Sequence, residues 1–175
     1  ELFKMLDEHP SATIRESDLG AMIDTVQDYI KLADEANPEK LDLEGALKKA
    51  AAHFDGGFVC GGLVGNGDSF VLRDANGIRP AYYYKDDEVV VVASERPAIM
   101  TAFNVPIEQV KEITPGCAVI TKANGTFSEV RVLPEKEIKA CSFERIYFSR
   151  GSDRDIYRER MQLGRNLAQR VLKAV

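Results

Sequence analysis

The run Phe54-Asp55-Gly56-Gly57-Phe58-Val59-Cys60-Gly61-Gly62-Leu63-Val64-Gly65-Asn66-Gly67-Asp68-Ser69-Phe70-Val71-Leu72-Arg73 decides how this chain folds. At Asp55-Gly56-Gly57 the spacing of apolar residues changes from helical to strand-like. Phe58 to Val64 and Ser69 to Arg73 are short runs rich in Val and Phe, separated by Gly65-Asn66-Gly67-Asp68. Such turn residues tolerate positive φ or bond their own backbone, as a tight hairpin requires. Ala81 to Tyr84 and Glu88 to Ala93 continue the pattern across the breaks Asp74-Ala75-Asn76-Gly77 and Lys85-Asp86-Asp87, and together the four runs predict an antiparallel meander. Val89 to Val92 shows no alternation, so this strand should be covered on both faces by further layers.

Working outward, the upstream residues read as helices. From Ser17 the positions Leu19, Met22, Ile23, Val26, Tyr29, Ile30 and Ala33 recur at three and four and stripe one helical face, with Ser17 or Asp18 as cap. Asn37-Pro38 interrupts the stripe, and a second amphipathic stretch follows through Leu43, Ala46, Leu47, Ala50 and Phe54. Downstream, Ser94-Glu95 should start a short helix with Ser94 as its cap, and strands are expected at Cys117 to Thr121 and Phe127 to Val132 around the turn Lys122-Ala123-Asn124-Gly125. After Ile146-Tyr147-Phe148 and the break Gly151-Ser152-Asp153, the spacing of Ile156, Leu163, Leu167 and Val171 predicts a long amphipathic helix.

Composition narrows the classes of function. A chain of 175 residues, 45% hydrophobic and 29% charged, is one domain or one domain and part of another, with a real core. A formal net charge of -5 gives nucleic acid no general electrostatic reason to bind. The charge is uneven: from Glu144 to Val175 there are 8 Lys/Arg against 4 Asp/Glu, whereas residues 1–143 hold 15 against 24. No apolar run approaches the roughly 20 residues of a membrane span, and no basic-then-apolar leader opens the chain, so the expectation is a soluble cytoplasmic protein with no membrane partner. Cys60, Cys117 and Cys141 share no metal-like spacing and read as reduced thiols.

Few residues announce chemistry by themselves. His9 and His53 stand apart without a partnered cysteine or carboxylate pattern and read as surface or helix-end residues. The glycines of Gly61 to Gly67 do not open a helix, so they form a turn and not a phosphate loop. Asp18, at a helix start, can satisfy a backbone N–H with one oxygen and present the other to a ligand ammonium; by the residues alone the cap is the leading reading and the ligand the competing one. In Arg73-Asp74-Ala75-Asn76-Gly77-Ile78-Arg79-Pro80 two arginines flank a turn and could face a phosphate or carboxylate, with a structural ion pair to Asp74 or Glu95 as the competing reading.

Five segments stand in a recognisable order: Phe54-Asp55-Gly56-Gly57, the Arg73-to-Pro80 run, Val92-Ala93-Ser94-Glu95, Thr114-Pro115-Gly116, and Cys141-Ser142-Phe143-Glu144-Arg145-Ile146-Tyr147-Phe148-Ser149-Arg150. In that order the chain resembles the glutamine amidophosphoribosyltransferases. The resemblance runs over nearly the whole length. It implies an α/β (α+β) fold, part of the four-layer α/β/β/α sandwich of the N-terminal-nucleophile hydrolases with antiparallel sheets, followed by a linker strand and helix. On this reading residues 1–143 are the later part of a glutaminase domain of the type 2 amidotransferase class. Residues 144–175 are the junction and first helix of a phosphoribosyltransferase domain.

The family hydrolyses glutamine and transfers the ammonia to phosphoribosyl pyrophosphate, giving 5-phosphoribosylamine in the first step of purine synthesis. Its glutaminases use an N-terminal cysteine thiolate as nucleophile, the chain's own α-amino group serving as base. The sequence starts at Glu1 and none of its cysteines lies within fifty residues of that point, so no catalytic residue is assigned and the chain alone is expected to be inactive. The resemblance assigns Asp18 to the α-amino group of glutamine, and matches Cys141 to a position that ligates a 4Fe-4S cluster in some members. It further implies Mg2+ in the transferase domain, purine nucleotides as feedback inhibitors and a homo-oligomer. Arg150-Gly151-Ser152-Asp153 departs from the Arg-Pro-Asp-Ser found in many members, a change at the connection between domains.

Overall fold

A computed structural model describes residues 26–28 and 41–174. The helix expected between Ser17 and Ala33 lies outside that range except for 26–28, which are helical and contribute Val26 to the core. Asp18 and His9 lie outside it altogether.

Helix α1 (Leu43–Ala51) starts where Asp42 accepts the backbone N–H of Gly45 at 2.9 Å. Its apolar stripe of Leu43, Leu47, Ala50 and Ala51 is buried, as the spacing requires. Strands β1 (Val59–Leu63) and β2 (Ser69–Arg73) form the expected hairpin, Leu63 facing Ser69 in register. The second pair, β6 (Cys117–Thr121) and β7 (Phe127–Arg131), forms another hairpin. These strands join in one antiparallel sheet of order β1-β2-β6-β7. Asp68 binds the two turns together, its carboxylate meeting Lys122 Nζ at 2.8 Å and the N–H of Ala123 at 2.9 Å.

The meander does not continue. Strands β3 (Tyr82–Lys85), β4 (Val90–Ala93) and the two-residue β5 (Lys111–Glu112) form a second sheet of order β4-β3-β5, and β3 does not pair with β2. The Arg73-to-Pro80 run, which looks like one more hairpin turn, lifts the chain from one sheet to the other.

Alternation along the strands sorts the layers. On the face of sheet 1 toward α1 lie Phe70, Leu72, Ala118 and Ile120, packed with Leu43, Leu47 and Phe58. Between the sheets lie Val71, Cys117 and Val119, packed against Tyr83, Ile113, Val90 and Val92. Helix α2 (Arg96–Phe103) covers the outer face of sheet 2, with Ile99 buried and the Phe103 ring 6.2 Å from the Tyr84 ring, centroid to centroid. The order is therefore helix, sheet, sheet, helix, the four-layer arrangement expected. Burying a side chain such as Leu47 or Leu72 in these interfaces contributes about 2 kcal/mol.

Strand β4 is covered by sheet 1 on one face and α2 on the other, as expected, although as an edge strand it keeps all four residues partly exposed. Two expectations need correction. Ser94 does not cap α2: the helix begins at Arg96-Pro97, because proline presets the helical φ and needs no N–H partner in the first turn, which leaves Glu95 at the cap position with no side-chain bond to the helix N–H groups. Ile146-Tyr147-Phe148 is not a linker strand. Residues Glu144–Phe148 form a single π-helical turn closed by the Ser149 N–H on the Glu144 carbonyl at 2.8 Å, and helix α3 (Arg154–Ala174) follows. No helix among the described residues is long and apolar enough to cross a membrane.

Candidate functional site at the junction

The turn after β2 is held by its own polar groups. Asp74 is fully buried; one carboxylate oxygen accepts the N–H of Asn76 and Ile78 at 3.1 and 2.9 Å, and the other accepts that of Arg79 at 3.0 Å. Arg73, also buried, donates to the carbonyls of Arg79, Ile113 and Gly77 and pairs with Glu112 at 2.7 Å. Neither predicted partner, Asp74 or Glu95, meets it. Gly77 has φ of +64°, and a Cβ there would come within 2.9 Å of Pro115, so the glycine serves both conformation and close approach. The Thr114-Pro115-Gly116 segment docks on this turn, Gly116 donating to the Asp74 carbonyl at 3.0 Å and accepting from Val132 and Leu133.

This scaffold leaves one arginine free to act elsewhere. Arg79 points to the Glu144–Phe148 turn, pairing with Glu144 and lying 5.7 Å from the centre of the Phe148 ring. Glu95, at the start of α2, pairs with Arg150 at 2.9 Å. Arg96 meets Asp153 through two bonds of 2.8 and 2.7 Å, and Asp155 at 3.0 Å. Burial works against the Arg96 charge, but Asp153 and then Asp155 outweigh it and hold the guanidinium pKa above its ordinary value. Arg145 pairs with Glu159 of α3, and that bond draws the Glu159 carboxyl below its ordinary range. Arg160 donates to the Ser149 carbonyl at 2.8 Å.

These groups surround a cavity of about 660 Å³ between sheet 2, α2, the π-helical turn and α3. Its wall carries Tyr82, Tyr147 and Phe148 among the arginines and carboxylates. Tyr147 and Phe148 are exposed, as is Ile146. Three of the five motifs separated by up to seventy residues in sequence thus meet at one place, and a fourth supports the turn that holds them. The sequence pointed to the Cys141-to-Arg150 segment and to Arg150-Gly151-Ser152-Asp153, but gave no sign of Arg96 or Arg160. Neither has a local signal, since each is defined by a partner about fifty-seven and eleven residues away.

Cys141 lies at the edge of this region, partly exposed and free. A 4Fe-4S cluster requires four thiolate ligands. Among the described residues no group of three or more His, Cys, Asp or Glu side chains could hold a metal ion, so these residues alone do not make such a site. Cys60 and Cys117 are buried between layers, and burial raises both thiol pKa values. His53 is exposed, as expected.

The layering matches a class of known structure. The chain is similar to a solved glutamine phosphoribosylpyrophosphate amidotransferase of B. subtilis, in complex with ADP and GMP, with a TM-score of 0.57 and 24% identity over 85% of this chain and 30% of that one. A structure described as the allosteric regulatory enzyme of purine biosynthesis matches equally well, with a TM-score of 0.57 and 22% identity over 85% of this chain and 29% of that one. In sequence the chain is 30% identical over 130 residues to the amidophosphoribosyltransferase of Saccharomyces cerevisiae, covering 67% of this chain and 25% of the relative. It is 29% identical over 134 residues to that of Methanothermobacter thermautotrophicus, covering 74% and 27%. No protein-family model matches. The chain is related to one segment of the amidophosphoribosyltransferase family, and it spans about a quarter of the length of the curated relatives it matches.

Proposed function

We propose that the chain is part of an amidophosphoribosyltransferase of the N-terminal-nucleophile type. In this reading glutamine is hydrolysed to glutamate and ammonia. The ammonia nitrogen then forms a bond to C1 of phosphoribosyl pyrophosphate as the C1–O bond to pyrophosphate breaks, giving 5-phosphoribosylamine. Residues 1–143 belong to the glutaminase part, and residues 144–175 lead into the phosphoribosyltransferase part, where Mg2+ would neutralise the departing pyrophosphate. The observation that carries the reading is the convergence of the Arg73-to-Pro80, Val92-to-Glu95 and Cys141-to-Arg150 segments around one cavity.

Ammonia released into bulk water is protonated and lost as a nucleophile, so delivery needs a covered path. The aromatic and ion-paired wall formed by Tyr82, Tyr147, Phe148, Arg79 and Glu144 is suited to one side of such a path. Asp18 is assigned to the α-ammonium of glutamine. Purine nucleotides are proposed as feedback inhibitors and the enzyme as a cytoplasmic homo-oligomer.

The test is phosphoribosylamine formation by the full-length gene product, measured with glutamine and separately with ammonia. Asp18→Ala should weaken glutamine use and leave ammonia-dependent synthesis intact. Equal loss of both would make Asp18 a structural cap. A product that binds glutamine but forms no phosphoribosylamine from either donor would instead favour a nucleophile-free binding module. Glutamine hydrolysis without transfer would favour a glutaminase serving another acceptor.

A further inference from the structure

Of the ion pairs at the junction, Arg96–Asp153 is the most withdrawn from water, with side chains 21% and 7% exposed. Its geometry is bidentate, which fixes direction as well as distance. The same Asp153 oxygen that meets Arg96 Nη2 accepts the N–H of Asp155 and Ile156 at 2.9 and 3.2 Å, so this carboxylate also caps α3. Arg96 is the first residue of α2, and its guanidinium lies 5.6 Å from the centre of the Tyr82 ring on β3. One pair therefore connects sheet 2, the start of α2 and the start of α3. The neighbouring bridge Glu95–Arg150 joins the start of α2 to the residues before α3, and Glu108–Arg154 joins the turn at residues 107–109 to α3, but both are more exposed, and exposed pairs contribute little.

We infer that the Arg96–Asp153 pair is a positioning latch that holds the first turn of α3 against sheet 2 and so keeps ammonia from escaping at the junction during transfer. The inference rests on the proposed function. It differs from a plain helix cap, which would need Asp153 but not Arg96.

The test uses the full-length enzyme and measures glutamate released per phosphoribosylamine formed. In the unaltered enzyme the ratio should be near one. Arg96→Ala and Asp153→Asn should raise it several-fold, while glutamine hydrolysis and ammonia-dependent synthesis each stay within about twofold. Asparagine is as good a cap as aspartate but cannot supply the charge, so Asp153→Asn separates the two roles without unfolding the helix start. Arg96→Lys restores charge without the two-pronged geometry and should give an intermediate ratio. An unchanged ratio in Asp153→Asn, or a proportional loss of all three activities, would overturn the latch. If the unaltered protein makes no phosphoribosylamine even from ammonia, the functional reading is what fails. Amide exchange at Asp155 and Ile156 then decides the latch: tenfold or faster exchange in Arg96→Ala supports it, and equal exchange overturns it.

Discussion

Replacing Asp74 with alanine should be among the most damaging single changes in the sheet-crossing turn. The carboxylate is fully buried and accepts three backbone N–H groups, those of Asn76, Ile78 and Arg79. Hydrogen bonds to a charged group contribute roughly 1.5–3 kcal/mol each, and a buried donor left without a partner costs about 1–3 kcal/mol. The three bonds are not additive, because a freed turn can relax and admit water, so a loss of about 3–5 kcal/mol is expected. At roughly 2–4 °C per kcal/mol for a chain of this size, Tm should fall by on the order of 10 °C. Asp74→Asn sets the comparison. Its carbonyl oxygen can keep the bonds to Asn76 and Ile78, while its amide nitrogen faces the Arg79 N–H, so a smaller loss of about 1–3 kcal/mol is expected. Urea unfolding followed by circular dichroism gives both values. Asp74→Ala within about 1 kcal/mol of the unaltered chain would refute the view that this carboxylate organises the crossing.

Gly77→Ala should destabilise by about 2–3 kcal/mol in the same unfolding assay, because a φ of +64° disfavours any Cβ and Pro115 occupies its place. Asp68 provides a pH test. Burial raises its pKa, but the bonds from Lys122 and Ala123 prevail and hold it below the ordinary value of 3.8. A depressed folded pKa contributes stability that is present above the unfolded value and lost as pH falls through the folded one. The stability gap between the unaltered chain and Asp68→Asn should therefore be wide at neutral pH and close below about pH 4 in urea titrations, and a gap independent of pH would contradict the assignment. Thiol labelling of the native 175-residue chain should modify Cys141 quickly and spare Cys60 and Cys117, whose burial disfavours the thiolate, with all three reacting after denaturation. For the same reason these two thiols should not hydrolyse glutamine.

Much of the fold was readable from local pattern. The strands Ser69–Arg73 and Cys117–Thr121 lie where the apolar runs end in turn residues, and α1 follows the spacing of Leu43, Leu47 and Ala50. Period, capping and turn chemistry act over a few residues and leave their mark in the residues themselves. What misled was also local: the Arg73-to-Pro80 run has hairpin composition, and Ile146-Tyr147-Phe148 has strand composition. Where these segments dock is set by distant partners, the Ile113 carbonyl and Glu112 for Arg73, and Arg79 for Glu144.

The amino-acid order alone determined the helices, the hairpins and the family resemblance, because each rests on short-range spacing or on motif order. Only the tertiary structure decided that the strands divide into two sheets and that the scattered motifs share one cavity. It also decided that Arg73 is a structural residue while Arg79 and Arg96 reach the junction. Two arginines six residues apart carry the same charge and similar neighbours in sequence; burial and the carbonyls brought within reach by folding give them different work.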